Sequence, residues 1–239
     1  MNINSDVSLL NSRVVYDLTP FSHLDFPNHL SCIVWIAECG LRCKYCYNQD
    51  IVFAKNGKLS FNDVLSFLDK RTNLLDGVVL SGGEATGVDL IEFCELIKSK
   101  GFKIKLDTNG VNFKYIKELI ELNLIDYIAL DYKAPKYKFK KVTDSTISQF
   151  NLFEKTLNYL IRINFDFEIR TTLHRDLLNE DDINSIINNL TQKGYNGEYF
   201  LQKFLDTGSN IGNIQSSDKD FNFKSIQTKN SNIDIKYRY

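Results

Sequence analysis

The sequence has no long apolar run. Its most apolar stretch, residues 30–37, falls far short of the roughly 20 residues a membrane-spanning helix needs, which excludes a helical membrane protein. It has no excess charge of either sign. With 29 basic against 30 acidic residues, the chain as a whole carries no electrostatic footprint for nucleic acid or a membrane surface. Its start, Met1-Asn2-Ile3-Asn4-Ser5-Asp6, lacks the basic cluster and apolar core of a signal peptide. It also lacks the even cysteine set of a secreted disulfide framework, since there are five. These absences lead us to expect a cytoplasmic protein with reduced thiols, where clustered cysteines bind metal or do chemistry. Proline, methionine and tryptophan are scarce while Asn, Ile, Lys and Phe abound, which we read as codon bias. What is present is ordinary: 43% hydrophobic and 25% charged residues exclude global disorder and fibrous architectures. A chain of 239 residues suits one mid-sized domain or two small ones, and needs no metal to staple its core.

No low-complexity linker divides the chain. Six short apolar strands are expected at residues 30–37, 77–81, 102–108, 126–133, 166–172 and 198–204. Helical patterns lie between them. Ser60 with Asp63, and Thr86 with Asp89, resemble capping boxes ahead of apolar stripes, and Asn179 opens a further helix. Strands alternating with helices imply parallel pairing through right-handed crossovers, with ligands at the C-terminal strand ends. After Gly208 the composition turns to Asn, Ser, Lys and Gln, so an irregular, mobile tail is expected, closing in a short edge strand at residues 233–239.

The strongest signal is Cys39-Gly40-Leu41-Arg42-Cys43-Lys44-Tyr45-Cys46, three cysteines at C-x-x-x-C-x-x-C spacing. So tight a loop can converge three thiolates on one small object, and iron–sulfur clusters are held by such thiolates. Three ligands on a four-iron cube leave one iron open, as a reactive centre requires. On the residues alone, a zinc site with a fourth ligand from elsewhere, or a redox dithiol, stays open as an alternative. None of His23, His29 and His174 lies at zinc-finger spacing. Cys32 and Cys94 read as buried small hydrophobes.

Other candidates stand at strand ends. Gly82 and Gly83 let the backbone approach a ligand, and Glu84 can accept a charge-assisted hydrogen bond from an ammonium. Asp107 and Asp131 end the third and fourth strands, where a buried carboxylate is costly unless paired or ligating. Glu168, Arg170 and Thr172 share one face of the fifth strand, and an interior Arg170 would suit anionic groups. Gln202 is a weaker pocket candidate. Residues 132–141 interleave basic and aromatic side chains. That pattern can bind nucleic acid, but it reads first as a solvated loop, suited also to docking a partner protein.

The cysteine loop, with an aromatic residue just before its third cysteine, resembles that of the radical S-adenosylmethionine (radical SAM) superfamily, and Gly82-Gly83-Glu84 after the next strand matches the same group. The resemblance implies an α/β fold, a partial (β/α)6 TIM-like barrel. It implies that Cys39, Cys43 and Cys46 hold a [4Fe–4S] cluster whose unique iron is chelated by S-adenosylmethionine. Tyr45 would pack near the adenine, and Gly82, Gly83 and Glu84 would meet the methionine amino group. No catalytic side chain is implied beyond the cluster and its cofactor.

Residues 19–27, 130–135, 170–174 and 200–204 narrow the resemblance to the activating proteins of anaerobic ribonucleoside-triphosphate reductase, a group of glycyl-radical enzyme activating enzymes. In that group, aspartates matching Asp107 and Asp131, with Thr108, lie beside the cofactor carboxylate and can hold a monovalent cation. Lys133 and Arg170 complete the implied cofactor contacts. The partners implied are a glycyl-radical enzyme and an electron donor such as flavodoxin or ferredoxin, with no membrane and no nucleic acid. The resemblance covers residues 14–204 as a core, leaving 1–13 as an N-terminal extension and 205–239 as a polar tail. The family often has a basic, proline-containing stretch after the last strand, where this chain reads Leu205-Asp206-Thr207-Gly208. One rival is a radical SAM enzyme acting on a small molecule or nucleoside, as in 7-deazapurine biosynthesis. Another is a zinc-stapled binding module.

Overall fold

The computed structural model describes residues 9–217, 221–226 and 232–238, so the expectations for residues 1–8, 218–220, 227–231 and 239 lie outside the described residues. In chain order the elements are strand β1 (Val15–Ser22), β2 (Ser31–Ile36), helix α1 (Gln49–Phe53), α2 (Phe61–Asp69), β3 (Gly77–Gly82), α3 (Ile91–Ser99), β4 (Lys103–Thr108), α4 (Phe113–Glu121), β5 (Tyr127–Asp131), α5 (Lys136–Thr143), α6 (Ile147–Arg162), β6 (Phe167–Leu173), α7 (Glu180–Gln192), β7 (Glu198–Lys203) and β8 (Asp234–Arg238). The six expected strands are all present, with ends displaced by at most two residues.

The chain divides into two compact units. The first comprises the described residues up to Gly40 together with 50–107 and 118–126; the second comprises 41–49, 108–117 and the described residues from Tyr127 onward. In the first unit β1 pairs antiparallel with β2, while β2, β3 and β4 run parallel in that order. In the second, β5, β6, β7 and β8 run parallel in that order.

β1 was not expected from the sequence. Pro20 sits inside it and cannot donate to a ladder, which confines such a strand to an edge. Its register shifts between Thr19 and Ser22, around that proline. Trp35 Nε1 donates to Thr19 Oγ1 at 2.9 Å and locks β1 onto β2.

α2 begins as expected. Ser60 Oγ accepts from Asp63 N at 3.2 Å, and Asp63 accepts from Ser60 N at 2.8 Å, so two orphan amides are satisfied. Its buried Phe61, Val64, Leu65 and Leu68 follow helical spacing, and Phe61 stacks on Phe93 of α3 at 4.0 Å. Thr86 is not the residue that caps α3, whose N-cap is Leu90. Asp89 caps Ile91 N directly at 3.1 Å, while the Thr86 hydroxyl turns to Glu84.

The basic stretch expected as a solvated loop is helix α5. Its Phe139, Val142 and Thr143 are buried while Lys136, Lys140 and Lys141 are exposed. Tyr137 Oη and Lys138 Nζ both reach Asp182, at 2.8 and 2.5 Å. Asp182 also closes the capping box of α7 with Asn179, accepting from Asn179 N at 2.7 Å. The aromatic core of this unit packs edge to face, Phe139 on Phe150 and Tyr132 on Phe153.

Candidate functional site

Within the first unit, the end of β2 and the end of β3 are built against each other. Glu38 has φ of 71°, a left-handed conformation that a glutamate adopts only under constraint. The constraint is backbone bonding: Glu38 N donates to Ile51 O at 2.9 Å, and Cys39 N to Val52 O at 3.3 Å, so α1 holds the chain as it turns to present Cys39. Across from this turn, Gly83 N donates to Ile36 O and Glu84 N to Glu38 O, both at 2.9 Å. A Cβ on Gly83 would lie 2.0 Å from Glu38 O. Gly82 has φ of 115° and would collide with Ile36 in the same way. The two glycines are therefore required by the approach of β3 to the base of the cysteine loop. Glu84 is buried beside them, its carboxylate accepting from Thr86 Oγ1 at 2.6 Å.

In the same unit, Asp107 at the end of β4 accepts from Ser81 Oγ at 3.3 Å and from Lys105 Nζ at 2.6 Å. Lys105 is fully buried and belongs to none of the motifs singled out in the sequence. The strand period was its only signal: two residues before Asp107, it shares that residue's face.

Within the second unit, the remainder of the cysteine loop is clamped on both sides. Arg42 N donates to Thr143 O and Lys44 N to Val142 O, both at 2.9 Å, which ties the loop to the end of α5. Cys46 N donates to Cys43 O at 2.9 Å and closes a tight turn. From the other side, Ile211 N donates to Cys46 O at 3.0 Å and Gly212 N to Lys44 O at 2.8 Å. The irregular segment after β7 is thus no loose appendage: it braces the loop, and His174 Nε2 bonds Gln215 O at 2.9 Å to hold it there. A Cβ on Gly212 would lie 2.6 Å from Lys44 Cβ. Gly212→Val is accordingly expected to push the segment off the loop and lower the iron retained per chain after anaerobic reconstitution, read by iron assay against the unaltered protein.

Tyr45 is buried and its hydroxyl has no hydrogen-bond partner among the described residues. Burial pushes the phenol well above its usual pKa, so it remains a neutral donor. Lys133 Nζ lies 5.8 Å from the Tyr45 ring centroid and 2.7 Å from Asp131 Oδ2. Burial alone would lower the lysine's pKa. The Asp131 charge, with Tyr45 and Cys43 behind it, outweighs that and holds the ammonium well above the usual value. Thr108 Oγ1 accepts from Gly110 N at 3.1 Å. On β6, Arg170 pairs with the fully buried Glu168, which also receives Arg238 at 3.4 Å. The charged face expected of this strand is a buried ion cluster, and the Nε and Nη2 groups of Arg170 are directed to Glu168.

None of the five cysteines is in a disulfide. Burial pushes Cys32 and Cys94 up to about 12, which leaves them inert core residues as expected. Among the described residues, no group of three or more His, Cys, Asp and Glu side chains is gathered tightly enough for a single metal ion. A four-iron cube does not ask for that, because each thiolate binds a different iron. The donor set fits such a cluster with its cofactor on two counts: three thiols on a braced loop, and, beside the third cysteine, a buried hydroxyl with no hydrogen-bond partner among the described residues.

A family model described as the radical SAM superfamily matches residues 33–189. The chain is 32% identical over 178 residues to a provisionally named glycyl-radical enzyme activating enzyme of Methanocaldococcus jannaschii, covering 72% of this chain and 73% of that one. It is 33% identical over 127 residues to the pyruvate formate-lyase-activating enzyme of Streptococcus mutans, covering 47% of this chain and 48% of that one. Among solved structures, Streptococcus suis SuiB bound to S-adenosylmethionine aligns with a TM-score of 0.66 at 12% identity, over 84% of this chain. The match spans 48% of SuiB, about half its length, and at this identity the likeness shows the fold alone. The expected fold class, an α/β partial barrel of the radical SAM type, is thereby established. No helix among the described residues is long and apolar enough to cross a membrane.

Proposed function

This chain belongs to the radical SAM superfamily and is an enzyme of its glycyl-radical activating type, and on that premise we propose that it generates a glycyl radical on a partner anaerobic ribonucleoside-triphosphate reductase, with electrons from a flavodoxin or ferredoxin. The observation that carries the reading is the backbone seam between Gly83-Glu84 and Glu38, which sets the glycine cradle and its carboxylate against the base of the cysteine loop. The choice of a reductase as partner draws support from residues 19–27, 130–135, 170–174 and 200–204.

In this reading Cys39, Cys43 and Cys46 hold a [4Fe–4S] cluster. When bound, that cluster would supply the electron for reductive cleavage of the C5′–S bond of S-adenosylmethionine, and the 5′-deoxyadenosyl radical so made available would account for loss of a Cα hydrogen from the partner's glycine. The chain's own residues bind and orient. Glu84 receives the methionine ammonium, and Thr86 holds that carboxylate in place by its 2.6 Å hydrogen bond. Tyr45 would pack near the adenine, where its hydroxyl, without a hydrogen-bond partner among the described residues, would be available to the ligand. Asp107 of the first unit, and Thr108, Asp131, Lys133 and Arg170 of the second, are the residues that would meet polar groups of the cofactor, where buried charges must be balanced. No side chain takes or gives a proton in the hydrogen transfer. The chain's task there is to exclude water and competing donors.

The test is direct. Reconstituted anaerobically, reduced and given S-adenosylmethionine, the protein is expected to form 5′-deoxyadenosine, and to raise a glycyl-radical resonance on the reductase when it is added. Cleavage with a radical on pyruvate formate-lyase but none on the reductase would overturn the choice of partner. One zinc per chain in place of about four irons would overturn the whole reading.

A further inference from the structure

The two aspartates expected to share a monovalent cation each already hold an ammonium. On β4, side chains alternate, so Lys105 and Asp107 project to one side of the strand. Lys105 Nζ lies 2.6 Å from Asp107 Oδ1, and the lysine side chain has no exposed surface. At the end of β5, Lys133 Nζ lies 2.7 Å from Asp131 Oδ2 with 17% of its side chain exposed. The third expected oxygen, Thr108 Oγ1, accepts the Gly110 amide at 3.1 Å.

K+ or Na+ would be held by carboxylate and hydroxyl oxygens whose charge it neutralises. An ammonium carries the same unit charge and donates hydrogen bonds to the same oxygens. Each carboxylate has an ammonium within hydrogen-bond distance, which neutralises its charge. A further cation would shed its water to approach an oxygen already neutralised, and would be repelled by the ammonium beside it. The residues present therefore do not fit an alkali ion. We propose that this chain takes no monovalent cation at Asp107, nor at Thr108 and Asp131, and that the ammonium of Lys105 supplies the positive charge beside the first aspartate and that of Lys133 beside the second. The inference rests on the reading above only in treating these aspartates as neighbours of the cofactor.

The experiment measures S-adenosylmethionine binding to the reconstituted holoenzyme by equilibrium dialysis, in potassium, sodium and choline chloride at one ionic strength. The expected result is the same affinity in all three salts. In Lys105→Met, Asp107 loses its counter-charge. Its binding is expected to weaken in choline and to recover in potassium or sodium. The cofactor-free chain is measured in parallel. Its thermal midpoint should be indifferent to the cation, and that of Lys105→Met should fall by roughly 5–15 °C in choline. Thallium-205 relaxation, with Tl+ standing in for K+, should show no bound ion on the unaltered chain. Affinity that depends on potassium or sodium in the unaltered protein, or a bound thallium signal, overturns the inference. Should Lys105→Met not fold, the unaltered protein decides alone, with Lys105→Gln as the second variant. Should S-adenosylmethionine bind in no salt, the functional reading falls, and the thallium and melting measurements still decide this one.

Discussion

Replacing Cys43 with Ala is expected to abolish 5′-deoxyadenosine formation, and the protein should retain far fewer than four irons after reconstitution. The substitution removes a single sulfur from a buried position, a change that in a core costs only about 1–2 kcal/mol. The expected effect is out of proportion to that packing loss because the thiolate is an iron ligand, and two thiolates no longer close the cluster. Cys94→Ala is the control. It deletes the same atom from a fully buried site whose thiol burial has pushed up to about 12, so it should cost some stability and leave iron content and cleavage unchanged. Iron assay, the visible absorption of the cluster and product formation separate the two variants. Full iron in Cys43→Ala would refute the assignment of the loop.

Gly83→Ala is expected to cripple the protein by adding one methyl group. The new Cβ would meet Glu38 O at 2.0 Å and Cys39 N at 3.1 Å, both backbone atoms that no rotamer change can move aside. Either β3 withdraws and the hydrogen bonds Gly83 N–Ile36 O and Glu84 N–Glu38 O break, or Glu38 leaves its strained turn and Cys39 is displaced. Overpacking of this kind costs about 3 kcal/mol, which for a chain of this size lowers the melting midpoint by roughly 10 °C. S-adenosylmethionine binding should fall further than stability does, since Glu84 moves with the strand. Gly87→Ala, where a Cβ meets nothing within 4 Å, should behave as the unaltered protein. Calorimetry and equilibrium dialysis on the pair test this, and an unchanged affinity in Gly83→Ala would show that the seam does not position the site.

Both expectations begin in motifs legible in the sequence, but they were legible to different depths. The spacing of Cys39, Cys43 and Cys46 is local, and eight consecutive residues carry it entire. The six expected strands were also legible, because short apolar runs bounded by turn residues have few other fates. β1 was missed because Pro20 interrupts its pattern, and only the neighbouring β2 supplies a reason for it to be extended. α5 was missed because its lysines dominate the composition, although Phe139 and Val142 stand at helical spacing and are buried.

What the sequence by itself determined was the identity and order of the reactive groups: three thiols on one loop, a Gly-Gly-Glu after the next strand, and aspartates at two later strand ends. The tertiary structure alone decided what stands next to them. The register of β2 and β3 brings Gly83 onto Glu38. A return of the chain more than 160 residues later lays Ile211 and Gly212 on the cysteine loop. Burial of β4 makes the Lys105 ammonium the counter-charge of Asp107. A residue's local pattern records which way its side chain projects from its own strand or helix. It does not record what a distant segment will press against that side chain, because such contacts depend on strand pairing and packing over the whole unit.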